Sequence, residues 1–217
     1  MVEYGIPKVE ADFPPGRMQA LLGRLPALRV DHYLWLKNGY EPRVEARLCW
    51  SDRFLYVHFR VEEAEVRLRH RRFQDPVWKD SCVEMFIDPF PEKRRGYINI
   101  ETNALGTVLA AFGKSRAGRL PFAAHQLREM EVAPSISRPV EGPHGAPFWT
   151  LAYRFPLSVF KLCYGETVRP GRRGRANFFK CGDETAAPHY GAWSPVDVPE
   201  PDFHRPEFFG AVVFEKA

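Results

Sequence analysis

Several things are missing from this sequence, and each absence excludes a class of protein. No stretch of its 217 residues approaches 18 consecutive apolar residues, so no helix in it can span a membrane. The N-terminus, MVEYGIPKVEADFPPG, has no apolar core of the secretory kind. A cytoplasmic location is therefore expected, or an extracellular one if a leader has been trimmed. Glycine shows no collagen-like period, and there is no repeat, low-complexity tract or linker. The chain contains no G-x-S-x-G, no H-E-x-x-H and no phosphate-cradling glycine loop, so serine-hydrolase and phosphoryl-transfer chemistry lack a signal. Its four cysteines, Cys49, Cys82, Cys163 and Cys181, show no C-x-x-C knuckle spacing. Three of them sit in apolar, strand-like runs and read as small buried hydrophobes in a reducing compartment. Long helices are disfavoured as well, because 20 prolines interrupt the chain every dozen or so residues.

Apolar substance is plentiful. The composition is 45% hydrophobic and 14% aromatic, which rules out intrinsic disorder. A chain of this length buries roughly 70% of its unfolded surface. Net charge is +4, carried by 23 arginines and only 8 lysines. Arginines cluster at 67–72, at 94–95 and at 169–175. Such runs can bind nucleic acid, but here they alternate with acidic segments and the net charge is modest, so they read as solvated loops.

Periodicity points to strands. Val44 to Cys49 alternates, Ser51-Asp52 makes a turn, and Phe54 to Val61 alternates again with Leu55, Val57, Phe59 and Val61 on one side. Cys82 to Ile87 and Tyr97 to Thr102 form a second pair across the turn-rich DPFPEKRRG. Val108 to Phe112, Glu131 to Ile136, Trp149 to Phe155, Ala176 to Lys180 and Gly210 to Glu215 bring the total to about nine strands. Helical spacing appears only at Met18, Leu21, Leu22, Leu25 and Leu28, behind Pro14-Pro15, and in a short turn after Pro156. The expected fold is all-β: a jelly-roll-like antiparallel β-sandwich with one or two short helices. One domain over residues 1–217 is expected, with residues 1–40 as an arm packed on the sandwich.

Two regions carry candidate chemistry. In PVWKDSCVEMFIDPFPEKRRGYINIETNALG, Val83, Met85 and Ile87 share one strand face and Glu84, Phe86 and Asp88 the other. On the paired strand, Tyr97, Asn99, Glu101 and Asn103 line up opposite Ile98, Ile100 and Thr102. Carboxylates, amides and aromatic rings gathered on one surface suit hydroxyl groups, and equally suit a polar network that holds loops or an ion. In the second region, RANFFKCGDETAAPHYGAWSPVDVPEPDFHRPEFFG, Trp193 stands at a loop edge, as Trp78 does before the Asp80 strand. Loop tryptophans offer flat platforms for the apolar faces of sugar rings; a single tryptophan is as readily core.

At these regions, VWKDSCVEMFIDP, YINIETNALG, RANFFKCGD, PHYGAWSPV and PDFHRPEFFG resemble the carbohydrate-binding family 9-like proteins, relatives of the family 9 modules attached to some xylanases. The resemblance runs from about Arg43 to the C-terminus. It implies a β-sandwich gripping a mono- or oligosaccharide, often a reducing-end glucose or xylose unit, between two tryptophans, which by motif position are Trp78 and Trp193. It implies a hydroxyl-binding carboxylate six residues beyond the first tryptophan, where Glu84 stands. It also implies nearby amides and a basic residue, for which Asn99, Asn103, Arg175, Asn177 and Lys180 are the candidates. Where the modules carry an asparagine before the second tryptophan, this chain has His189 or Tyr190. No cofactor is implied beyond a structural calcium ion, with Asp80, Asp88 or Asp183 as oxygen donors.

Three functions are compatible with these features. The leading one is a non-catalytic sugar binder. A glycoside hydrolase-like enzyme would use Glu84, Asp88 and Glu101 as paired carboxylates, which needs two carboxyls roughly 5 to 9 Å apart across a cleft. His204 could serve as a base, although its place between Phe203 and Arg205-Pro206 suits fixing the final turn. A nucleic-acid binder lacks the basic-aromatic interleaving of the common RNA modules. The arginine segments also raise an anionic ligand, such as a sugar acid or sugar phosphate, as an alternative to a neutral sugar.

Overall fold

Hydrophobic alternation builds two sheets, and their facing sides make the core. The computed structural model describes residues 2–35 and 38–216. In chain order the strands are β1 (Glu3–Ile6), β2 (Leu28–Val30), β3 (His32–Tyr33), β4 (Arg43–Trp50), β5 (Phe54–Glu62), β6 (Glu65–Arg67), β7 (Cys82–Asp88) and β8 (Tyr97–Asn103). They continue with β9 (Val108–Gly113), β10 (Leu120–Pro121), β11 (Glu131–Pro134), β12 (Glu141–Pro143), β13 (Trp149–Pro156), β14 (Arg172–Cys181), β15 (Tyr190–Ala192) and β16 (Gly210–Phe214). The α-helix α1 (Ser158–Tyr164) and five short 3-10 segments complete the described elements. No helix among the described residues is long and apolar enough to cross a membrane.

The first sheet runs β1-β16-β14-β7-β8-β9-β10, with β15 and β3 branching from β14. The second runs β11-β13-β5-β4-β2, and β6 pairs with β12 in a small ribbon. The architecture is the antiparallel β-sandwich that the strand pattern predicts; β1 alone among the named ladders pairs in parallel, with β16. Leu55, Val57, Phe59 and Val61 of the second sheet pack in one cluster with Val83, Met85, Ile87, Ile98, Ile100 and Phe178 of the first. Phe59 and Phe178 meet across the gap at 6.4 Å. Each such buried side chain is worth roughly 1.5 to 3 kcal/mol relative to exposure.

The N-terminal residues thread into both sheets rather than only lying across them: β1 extends the first sheet, β2 the second, and β3 joins β15. The leucine repeat expected as a helix is a 3-10 segment, Pro15–Arg24. Of the repeat, Met18 is buried under the outer face of the second sheet, Leu21, Leu22 and Leu25 are half-buried, and Leu28 already belongs to β2. Phe13 stacks on Tyr56 at 4.0 Å beside this segment. The strands missed in the sequence (β1, β2, β3, β6, β10, β12 and β15) span two to four residues each, too short for alternation to show.

Lys180 corrects one site expectation here. Strand parity puts Phe178 and Lys180 on the inner face of β14, so the ammonium enters the sandwich end with no exposure. There Nζ reaches Glu63 Oε1 at 3.2 Å and His189 Nε2 at 2.7 Å, and stands 5.9 Å from the Trp149 ring centroid. Trp149 Nε1 donates to the other Glu63 oxygen at 2.9 Å. Burial and the neighbouring Lys180 push the His189 pKa down to about 2, so its ring is neutral. Nε2 then accepts from Lys180, and Nδ1–H donates to the Ala187 carbonyl at 2.8 Å. Removing one partner of a buried ion pair strands the other charge. Lys180→Met is expected to cost about 3 to 5 kcal/mol in urea unfolding, with Glu63→Gln at the same site also destabilising. Unfolding midpoints equal to the parent's in both variants would disprove the strut.

Candidate functional site

The outer face of the first sheet is where the polar row resides. Glu84 lies opposite Glu101 on β8 and opposite Phe179 on β14. Phe86 lies between Asn99 and Asn177, and Cys82 between Asn103 and Cys181. The expected grouping of Glu84, Asn99, Glu101 and Asn103 on one face is therefore real, but the face is covered. Val77, Phe203 and Phe209 close over Phe86, Tyr97 and Phe179 as a second apolar cluster. Phe203 stacks on Phe179 at 4.1 Å and His204 on Phe86 at 4.7 Å, and the Tyr97 hydroxyl shares a 2.8 Å hydrogen bond with His204 Nδ1.

At one edge the cover opens into a pocket of about 230 Å³. Glu84, Glu101, Cys181 and Asp183 contribute to its lining together with Trp35, Trp78, Tyr190, His204 and the arginines Arg116 and Arg119. Glu84 accepts from the Cys181 thiol at 3.1 Å. Glu101 accepts from Asn99 Nδ2 at 2.9 Å and from Arg119 at 3.5 Å. Burial, and the proximity of Glu101, hold the Glu84 carboxyl well above the usual range. Burial raises Glu101 as well, against the opposing pull of Arg119. Asp183 is lifted to about 6 by burial. Carboxyls in this state can both donate to and accept from a ligand oxygen. Asn99 Oδ1 is buried with no partner among the described residues, a further acceptor beside Glu101.

Of the residues expected at the site, Trp78 and Glu84 line this pocket and Asn99 supports it through Glu101. The others are engaged elsewhere. Trp193 belongs to the main core, edge-on to Phe178 at 5.7 Å, and a Cβ on Gly210 would come within 2.6 Å of its ring. Asn103 Nδ2 donates to Asp80 and to the His70 carbonyl. Asn177 is spent on the Ser194 and Phe178 backbone. Arg175 grips the carbonyls of Glu207 and Phe209, fixing the last turn. Lys180 is the core strut described above.

The residues that sequence reading missed come from loops and the N-terminus. Trp35 holds a positive φ of 66°, which is costly for a bulky side chain. Its Nε1 donates to the Val198 carbonyl at 2.7 Å. The aromatic run HYLW was the available signal for it. Arg116 and Arg119 sit in the turn between β9 and β10, and no spacing flags them.

Calcium does not fit the aspartates offered for it. Asp80 already takes Arg67 Nη1 at 2.5 Å, the amides of Arg69 and His70, and Asn103 Nδ2. A guanidinium thus occupies the place a cation would need. Asp88 accepts the Phe90 amide and Asp183 stands at the pocket wall; among the described residues neither joins a cluster of three acidic, histidine or cysteine ligands. Burial raises Asp88 to about 6. A raised carboxyl binds its proton more tightly folded than unfolded, so its contribution to stability is lost as pH rises from roughly 4 to 6. Asp88→Asn is expected to remove that part of the pH slope in thermal unfolding, and added calcium to leave the melting temperature unchanged. A rise in melting temperature with calcium would contradict this account.

The family model described as Carbohydrate-binding family 9 matches residues 18–214. Among solved structures, a Bacteroides uniformis protein proposed to bind carbohydrate superimposes with a TM-score of 0.87 at 30% identity, covering 98% of this chain and 99% of the other. A family 9 module from Caldicellulosiruptor kristjanssonii, solved with cellotriose, gives 0.67 at 10% identity over 100% and 95% of the two chains. The same organism's module with glucose gives 0.65 at 11% identity, over 98% and 95%. A search of curated proteins finds no match. The sandwich and the family match over most of its length agree: the chain belongs to carbohydrate-binding family 9.

Proposed function

We propose that the chain is a non-catalytic carbohydrate binder whose pocket takes one neutral sugar ring. The observation that carries this reading is the pairing of buried carboxyls, Glu84 and Glu101, with exposed or half-buried tryptophans, Trp78 and Trp35, around one small cavity. Sugars present apolar C–H faces and a rim of hydroxyls, which these two kinds of group match. Trp35 takes the role first given to Trp193. At about 230 Å³ the cavity is smaller than the roughly 300 to 1,000 Å³ of drug-sized pockets, which suits a single ring with any further residues pointing outward. The family 9 modules solved with cellotriose and glucose support the ligand class.

Charge favours a neutral ligand. The lining carries Glu84, Glu101, Asp183 and Asp202 against Arg116 and Arg119, and both arginines are already engaged with carboxylates. The arginine segments that suggested an anion lie elsewhere: Arg67 pairs with Asp80 and Glu184, Arg69 with Glu141, Arg172 with Glu92 and Arg173 with Glu3. Glu84 and Glu101 rise from one sheet face as cross-strand neighbours, whereas a glycosidase needs carboxyls flanking the scissile bond.

Titration with glucose, xylose, cellobiose, xylobiose and glucuronic acid, read by tryptophan fluorescence, tests the reading. Saturable binding of neutral sugars with no product overnight is expected. Trp78→Ala and Trp35→Ala are each expected to weaken binding by about 1 to 3 kcal/mol. Trp193→Ala is expected instead to cost about 3 to 5 kcal/mol of fold stability. Unchanged affinity in both pocket variants, or preference for glucuronic acid, would refute the assignment; hydrolysed oligosaccharide would transfer it to the carboxylate enzyme.

A further inference from the structure

Two of the four cysteines, far apart in the chain, are brought face to face. Cys82 on β7 and Cys181 on β14 are direct cross-strand partners. Glu84 follows two positions along β7, on the same face. The two sulfurs and one Glu84 oxygen lie within 4.8 Å of one another, and all three residues are buried. Among the described residues no other trio of histidine, cysteine, aspartate or glutamate side chains converges in this way. Cys49 and Cys163 sit in other clusters, away from any such group.

We propose that Cys82, Cys181 and Glu84 form a binding site for a thiophilic divalent cation of the zinc class, with its fourth coordination position open to the pocket. The donor set selects the ion: two sulfurs disfavour calcium and magnesium, which take oxygen, and suit zinc and its cobalt surrogate. Metal–sulfur bonds of about 2.3 Å and metal–oxygen bonds of about 2.0 to 2.2 Å space these tetrahedral ligands roughly 3.5 to 3.8 Å apart. The donor atoms lie within 4.8 Å of one another, with Cys181 Sγ 3.1 Å from a Glu84 oxygen, so small side-chain rotations would bring them to that range. The strands fix the two backbones, so the site is largely formed before the ion arrives. Entry is through the pocket, because Cys181 and Glu84 line it while Cys82 lies beneath. Three protein ligands and one vacant position facing a cavity is the pattern of an open site, where water or a ligand hydroxyl completes the shell. Binding needs no oxidant: the ion displaces the protons of two thiols and, where it is protonated, of the Glu84 carboxyl, all of which pass to solvent.

The site shares Glu84 and the pocket with the proposed sugar site, but metal uptake is measured with no sugar present, so its failure leaves the sugar reading standing. The full chain, reduced and stripped with chelator, is titrated anaerobically with Co²⁺ and then Zn²⁺. One Co²⁺ per chain is expected, with thiolate-to-cobalt charge-transfer absorption that one equivalent of Zn²⁺ abolishes. Cys82→Ser and Cys181→Ser are each expected to remove that absorption and to weaken Zn²⁺ binding by more than the roughly 10- to 100-fold lost when only a ligand's hydrogen-bond partner is changed, while Cys49→Ser leaves both unchanged. Should the serine variants fail to fold, alkylation mapping of the parent protein replaces them: Zn²⁺ should shield Cys82 and Cys181 and not Cys49 or Cys163. Absence of thiolate charge transfer, its survival in both pocket variants, shielding that ignores Cys82 and Cys181, or a Cys82–Cys181 disulfide in place of metal uptake would overturn the site.

Discussion

Both faces of the central strands β7, β8 and β14 are buried, and the two faces carry opposite chemistry. Inward lie Val83, Met85, Ile87, Ile98, Ile100 and Phe178, which glue the sheets together. Outward lie Glu84, Asn99, Glu101, Asn103 and Asn177, all with little or no exposure. Water is thus excluded from polar groups that must find partners within the protein or in a ligand. The rest of the structure answers that demand. The C-terminal loop lays Phe203 and His204 over Phe179 and Phe86, Arg119 reaches Glu101, and the Ser194 backbone takes up Asn177. What stays open is the small gap at Glu84 and Glu101.

This explains why a polar strand row is weak evidence for a binding surface by itself. Four of its outward-facing neighbours are engaged within the fold: Asn103 anchors Asp80, Asn177 and Arg175 hold backbone, and Phe86 lies beneath the C-terminal loop. The groups that differ are those whose hydrogen-bonding capacity is left over. Glu84 meets a weak thiol donor, Glu101 a distant guanidinium, and Asn99 keeps a free carbonyl among the described residues. Unspent polarity at the bottom of a cavity marks the candidate site better than residue type does.

Lys180 and Asp80 show the same economy in the structural parts. Each buries a charge, and each is surrounded: Lys180 by Glu63, a neutral His189 and the Trp149 ring, Asp80 by Arg67, Asn103 and two amides. In both cases an amino-acid side chain or backbone supplies the countercharge. Among the described residues, one buried trio of ligand-type side chains converges: Cys82, Glu84 and Cys181.

The sequence by itself determined the sandwich. Alternation with period two marked nine strands and sorted core from outer face along β5, β7 and β8, because side-chain direction in a strand follows from counting alone. It also placed Glu84 and Glu101 on one surface and set Trp78 beside them. Tertiary structure decided the rest. Trp193 and Lys180 point into the core because strand register and loop closure, not local motif, set what they touch. Trp35, Arg116, Arg119 and Cys181 reach the pocket from segments remote in the chain, and no spacing rule spans such distances. Which carboxyls are buried, and which stay unpaired, depends on what folds over them.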